Sequence, residues 1–193
     1  MTTYQATSVI PALVQQATAL AAELGFTASC TPEVGRLLRV LAGACRQGRI
    51  GEIGTGCGVG TAWMAGGLAP GVGLWTVEID ARRAALARCL LRGVPGVEVL
   101  TGDWQTLLPH EPFALLFADA RAAKVEAPEQ VLAALAPGGL LVLDDLTPED
   151  QWPPEWRGRP DPVRVWWLNE PRLAATEIRV APEAAVILAT RLA

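Results

Sequence analysis

"GEIGTGCGVGTAWMA", residues 51 to 65, sets Gly54, Gly56, Gly58 and Gly60 at every second position behind a short acidic and apolar stretch. Glycine admits positive φ and lets another group approach the backbone without meeting a Cβ, at some cost in chain entropy. Such a series marks a bend whose backbone something must reach. "RIGEIG" before it reads as a buried strand and "GTAWMAGGLA" after it as a helix, so the bend leads into a helix N-terminus whose first N–H groups lack intrahelical partners. A flat or anionic group suits that place.

Outward from the bend, short apolar runs alternate with longer helical patterns. "GLWTVEI", "VEVL", "FALLFAD" and "GGLLVLDD" read as strands, with "ARRAALARCLLRG" and "APEQVLAALAPGG" as helical segments between them. Parallel neighbours need such long, right-handed crossovers, so the predicted fold is α/β, a doubly wound, mostly parallel sheet. "ATEIRVAPEAAVILATRL" near the C-terminus predicts two strands about a turn at Ala181–Glu183, an antiparallel edge that completes seven strands. Upstream, residues 8–24 keep a helical apolar spacing closed by Gly25, and a second helix starts with Thr31 as N-cap and Pro32 in the first turn. The expected organisation is one domain over 1–193, with a helical cap over 1–48 and the cofactor-binding α/β core over 49–193.

Composition narrows the function. The chain has 193 residues, 51% of them hydrophobic, enough for a sizeable core. No apolar run reaches the roughly 18 residues of a membrane span, and "MTTYQATSVIPALVQQ" lacks the pattern of an export signal. The dispersed Cys30, Cys45, Cys57 and Cys89, with His110 the single histidine, argue against zinc and read as reduced thiols, so a cytoplasmic location is expected. A net charge of −4 without a basic stripe predicts neither a nucleic-acid nor a membrane partner.

The glycine spacing then discriminates among nucleotide sites. G-x-G-x-x-G fails from Gly54, which puts Val59 at the last position, and from Gly56, which puts Thr61 there, so a nicotinamide dehydrogenase is disfavoured. No Gly-Lys-Ser/Thr follows, so a P-loop fails as well. What matches is E-x-G-x-G-x-G, opened by Glu52. "LWTVEID" supplies Glu78 at the end of the next strand, where a carboxylate accepts from both ribose hydroxyls in nucleotide-binding α/β folds, or is simply a strand-end acid. "LTGDWQTLLP" supplies Asp103 to accept from an adenine amino group and Trp104 to stack on the ring, unless Trp104 belongs to the core.

In their order, "TPEVGRLLRVL", "EIGTGCGVGTAWMA", "TVEID", "LTGDWQTLLP", "LLFADA" and "LAPGGLLVLDD" resemble the blocks of the class I S-adenosylmethionine-dependent methyltransferases. The resemblance is to the cation-dependent O-methyltransferases, which include the catechol and caffeoyl-coenzyme A enzymes. It implies S-adenosylmethionine as cofactor and a small-molecule acceptor. Thr31 would lie near the methionine carboxylate. Glu52, Gly54, Thr55, Gly56 and Gly58 would follow the methionine part, Glu78 and Ile79 the ribose, and Gly102, Asp103 and Trp104 the adenine. Asp119 completes the cofactor set.

Asp119 and the pair Asp144–Asp145 end two strands, so three carboxylates are expected at the cofactor edge. Mg²⁺ would relieve their repulsion while chelating acceptor hydroxyls; otherwise Asp144 and Asp145 only cap the "LTPED" turn. The family's Asp-Asn pair is Asp-Asp here, and its general-base lysine three residues after the first metal Asp is Ala122. Lys124, the lone lysine, is the catalytic candidate if the loop carries it inward, and a solvated side chain if not. The loop "QWPPEWRG" offers Trp152 and Trp156 as wall and lid of an acceptor pocket, and Trp166 and Trp167 read as core or as the contact of a homodimer. The resemblance implies O-methylation of a small aromatic acceptor. A metal-independent N- or O-methyltransferase and a non-catalytic nucleotide-binding module are the alternatives.

Overall fold

The computed structural model describes residues 9–193. Seven strands, β1 (Arg49–Ile53), β2 (Gly73–Glu78), β3 (Val97–Thr101), β4 (Phe113–Ala118), β5 (Leu135–Leu146), β6 (Leu173–Ala181) and β7 (Ala184–Arg191), form one sheet in the order β3-β2-β1-β4-β5-β7-β6. The first five are parallel, and β7 runs antiparallel to both β5 and β6, so the expected doubly wound sheet and its terminal hairpin are both present. Strand order reverses between β1 and β4. Their carboxyl ends therefore bound the crevice in which open α/β sheets take ligands.

Alternation along the strands divides the core between the two faces of the sheet. Leu115 and Phe117 of β4, Val142 of β5 and Val186 of β7 pack on the face covered by α2 (Pro32–Ala44) through Val34, Leu38 and Ala42. Leu116, Leu141, Leu143 and Ile187 face the other way, toward α5 (Pro128–Ala133) and α6 (Pro162–Asn169), where Trp167 is fully buried. This is the near-continuous apolar pattern of a sheet covered on both sides. Helix α1 (Ala12–Glu23) packs through Val14 and Ala17 on α3 (Val59–Ala65), and α4 (Ala81–Leu90) covers β3. Residues 1–8 of the expected cap lie outside the described residues.

Capping residues set the helix starts. Thr31 Oγ1 accepts from Val34 N at 3.3 Å, Asp80 Oδ1 from Arg83 N at 2.8 Å and Asp161 Oδ1 from Val163 N at 2.9 Å. One expectation fails in extent: the helix read over 127–139 ends at Ala133, and β5 begins at Leu135. Pro137 has no N–H to continue a helix, Gly138 takes φ +76, and Phe113 N donates to Ala134 O, so the chain joins β4 early through a register shift. Among the described residues no helix is long and apolar enough to cross a membrane.

Candidate active site

The glycine bend is held from below by β2. Gly54 N and Thr55 N both donate to Val77 O, at 3.0 and 3.1 Å, and the Thr55 and Thr76 hydroxyls are 2.6 Å apart. Gly54, Gly56 and Gly58 have φ of 101, 54 and 88, conformations in which an L side chain is strained. Gly60 is there for a different reason: a Cβ on it would land on Glu52 Oε1 and 3.2 Å from the Phe117 ring. The bend thus floors a groove of about 310 Å³ and leaves room in it for a fully buried carboxylate.

Glu52 is that carboxylate. Thr61 Oγ1 donates to its Oε2, while Oε1 has no partner and the residue lines the groove. Burial raises its pKa to about 7; the hydroxyls of Thr61 and Thr76 pull the other way, and the Glu78 charge adds a little to the rise. Two further buried polar atoms on the groove wall lack partners, Ser29 Oγ and Asp119 Oδ1. Buried polar groups in folded proteins are nearly always satisfied, so one hydroxyl and two carboxylates left open on one wall describe a ligand with donors and positive charge.

Glu78, Ile79, Gly102, Asp103 and Trp104 line the other end of the groove. Glu78 is heavily engaged: Oε2 accepts from Gly56 N at 2.8 Å, and Oε1 accepts from Asp80 N at 2.9 Å and Arg83 Nη2 at 2.8 Å. A carboxylate has about four acceptor sites, so about one remains, which narrows the expectation that Glu78 takes both ribose hydroxyls. Asp103 Oδ1 caps the turn at Trp104–His110 through Gln105 N, and Trp104 rests against the core while facing the groove.

Thr31 and Gly58 stand off the groove wall. The Thr31 hydroxyl serves as a helix cap, and the segment before it, Phe26, Ala28, Ser29 and Cys30, lines the groove in its place. Phe26 covers Gly56, and the Arg83 guanidinium lies 5.0 Å from its ring centroid while also reaching Glu78. In the sequence, the signal for this cover is a lone aromatic, Phe26, between two helices.

Asp119, Asp144 and Asp145 come together at the crevice, each offering an oxygen within 4.8 Å of the others. Asp119 follows β4, with its N–H donating to Ile53 O at 2.9 Å. The pair lies in a β-bulge: Leu143 pairs with Ile187 and Leu146 with Ala185, so Asp144 and Asp145 together oppose Val186. Asp145 has φ 61, the left-handed region that Asp tolerates better than most residues, and its N–H donates to Asp144 Oδ1 at 2.8 Å. Burial raises Asp144 to about 6 and drives Asp119 upward, with the Asp145 charge next in importance for Asp119.

Lys124 is brought to this cluster. Residues Ala122–Glu126 form a π-helical turn, and Lys124 Nζ donates to Asp144 O at 3.0 Å and Asp145 Oδ2 at 3.3 Å, with its side chain 10% exposed. A π turn takes up an extra residue, a device common at functional sites. Trp167 Nε1 donates to Lys124 O at 2.9 Å, so the core holds the turn. Beyond Asp145 a second cavity of about 530 Å³ opens, walled by buried Trp152 and by Trp156, which is 52% exposed. Asp145 lines both spaces.

A methyltransferase-domain profile matches residues 52–146, from the buried carboxylate of the bend to the end of the bulged strand. Over this segment, just under half of its length, the chain is similar to that family of methyltransferase domains. It is similar to a catechol O-methyltransferase of Niastella koreensis, 34% identical over 136 residues that make up 65% of this chain and 62% of that protein. A catechol O-methyltransferase of Mycobacterium tuberculosis is 37% identical over 117 residues, 58% of this chain and 53% of the relative. These matches span under two thirds of the relatives' lengths. The fold of the O-methyltransferase TomG from Streptomyces achromogenes, solved with S-adenosylmethionine, superposes with a TM-score of 0.80 at 24% identity, covering 97% of this chain and 92% of that one. The glycine bend and the acid cluster both fall inside the matched segment.

Proposed function

We propose that the chain transfers a methyl group from S-adenosylmethionine to a hydroxyl oxygen of a small aromatic acceptor. One observation carries this reading: the groove presents Glu52 Oε1, Asp119 Oδ1 and Ser29 Oγ as buried atoms without partners. An adenosyl amino acid with an ammonium and a sulfonium satisfies them. A nicotinamide dinucleotide would bring a pyrophosphate against two carboxylates, which repel it. When bound, S-adenosylmethionine supplies a sulfonium-borne methyl carbon: an acceptor oxygen lone pair forms the C–O bond, the C–S pair stays on sulfur, and the hydroxyl proton leaves.

The chain's own part is positioning, exclusion of water and charge. Glu52 and Asp119 hold the cationic portion of the cofactor, with Glu78, Ile79 and Trp104 along the nucleoside. Asp145 lines both the groove and the second cavity, so an aromatic acceptor between Trp152 and Trp156 would present its oxygen beside Lys124. The Lys124 ammonium favours the acceptor oxygen in its anionic form, and by passing one of its own protons to the Asp145 carboxylate it would become the amine that takes the hydroxyl proton. The acids also fit a divalent cation: three oxygens lie within reach of one centre, and Asp119 Oδ1 is open. Asp119, Asp144 and Asp145 would hold Mg²⁺, which would lower the proton affinity of a coordinated hydroxyl. A metal-independent reading draws on the Lys124–Asp145 ion pair, which already sets a positive charge at the same place.

Isothermal titration with S-adenosylhomocysteine and NAD, followed by mass spectrometry of a catechol incubated with S-adenosylmethionine, tests the assignment. The expected result is binding of S-adenosylhomocysteine alone and gain of one CH₂ by the catechol. Repeating the incubation with EDTA and then Mg²⁺ separates the two readings. NAD binding with no response to S-adenosylhomocysteine refutes both.

A further inference from the structure

We infer that the acceptor carries a carboxylate on the side of its ring away from the reacting hydroxyl, and that Arg121 and Arg159 recognise it. This rests on the methyltransferase reading above and adds the acceptor's charge. Four basic side chains line the second cavity: Arg121, Lys124, Arg159 and Arg164. Two are committed. Arg164 donates through Nε and Nη2 to Glu177, through Nη1 to Asp161 and through Nη2 also to Thr147 O, while its guanidinium lies 5.4 Å from the Trp152 ring centroid. Lys124 is held by Asp145 and Asp144 O.

Arg121 and Arg159 are different. Among the described residues, neither side chain has a salt bridge or a hydrogen-bond acceptor; both are exposed, and both line the cavity together with Trp156 and Pro160. Arg121 stands at the start of the π turn and Arg159 in the loop after β5, so residues far apart in sequence bring guanidinium groups to one chamber. The acids of that chamber do not neutralise them. Asp161 is taken by Arg164 and Asp145 by Lys124, and Asp144 is buried.

The cavity therefore holds two kinds of basic group. Lys124, held by the carboxylates, suits a hydroxyl that must lose a proton, and the two unpaired guanidinium forks have planar donors that match a carboxylate. In the same cavity, Trp152, Trp156 and Val163 offer apolar walls to a ring. Such an arrangement orients an aromatic hydroxy acid with its hydroxyl toward the groove. A neutral ring of the same size lacks that direction.

The test uses a matched pair, 3,4-dihydroxybenzoate and its methyl ester, titrated calorimetrically into the full chain saturated with S-adenosylhomocysteine, then compared as acceptors by kcat/KM. The carboxylate is expected to bind at least about tenfold tighter than the ester, a factor in line with a charged hydrogen bond. In the double variant R121Q/R159Q the carboxylate-to-ester ratio is expected to fall to near one, and in R121K/R159K to recover in part. Calorimetric binding of S-adenosylhomocysteine by each variant reports that it is folded. A ratio near one in the unmodified protein, a ratio unchanged by R121Q/R159Q, or no binding of the carboxylate overturns the inference while leaving the methyltransferase reading in place. Failure of the unmodified protein to bind S-adenosylhomocysteine overturns both.

Discussion

Replacing Glu52 with Gln keeps the shape of a fully buried side chain and removes its charge. Burial holds the carboxyl at about 7 in the folded chain, against an ordinary value of 4.5. Below pH 4.5 both states carry the proton and the group does not affect the balance. Between 4.5 and 7 the folded chain keeps a proton that the unfolded chain has released, so stability falls as pH rises, by about 1.36 kcal/mol per pH unit. The gap from 4.5 to about 7 amounts to about 3 kcal/mol lost by pH 8. E52Q escapes that loss. Its stability relative to the parent is expected to climb by about 3 kcal/mol from pH 4.5 to pH 8, or roughly 6–12 °C in Tm for a chain of this size. Urea titrations without ligand, run on both proteins at each pH, read the difference, and the falls due to Asp119 and Asp144 cancel in it. At pH 8 the same variant should bind S-adenosylmethionine about tenfold more weakly, having lost a charge that faces a cation. A relative stability that stays flat or declines with pH would refute the burial argument.

Gly60→Ala puts a methyl group onto Glu52 Oε1 and against Phe117, both buried; a loss of about 1–3 kcal/mol in urea unfolding is expected, and a neutral result would mean that Glu52 swings off the groove wall at no cost. Lys124→Met should lower kcat by about 10²–10⁴ while S-adenosylhomocysteine affinity, measured by calorimetry, changes little; an unaltered kcat would remove Lys124 from the chemistry.

What the sequence showed and hid follows from which forces act locally. Apolar runs bounded by glycine declared the parallel strands, because burial on both faces leaves no alternation to blur them. The bend declared itself because positive φ at Gly54, Gly56 and Gly58 excludes other residues. Asp119, Asp144 and Asp145 were legible as strand-end acids, but the bulge that lets the adjacent pair join Asp119 depends on how β5 pairs with β7, a contact between segments some forty residues apart. Lys124 was ambiguous for the same kind of reason. Its place depends on a π turn whose carbonyl is held by Trp167, and no pattern within residues 119–126 encodes that partner. Phe26 and Ser29 escaped because a short segment between helices shows neither periodicity nor a motif, although packing lays it over the groove.

The two irregularities of the backbone at this edge serve one electrostatic end. In a regular strand Asp144 and Asp145 would point to opposite faces, and in a regular α turn Lys124 would be rotated away from them. Bulge and π turn together gather three carboxyls and one ammonium, leaving an excess of negative charge in which Asp144 is buried and Asp119 half-buried, while Asp145 is exposed. Such an excess has two physical remedies. One is proton retention, visible in the raised pKa of Asp119 and of Asp144, with burial as the leading cause in each. The other is a divalent cation, whose ligands must be deprotonated. The remedies exclude each other on the same oxygens, so cation uptake at this cluster entails proton release, and the cluster's affinity for Mg²⁺ must rise with pH through the range in which those carboxyls ionise.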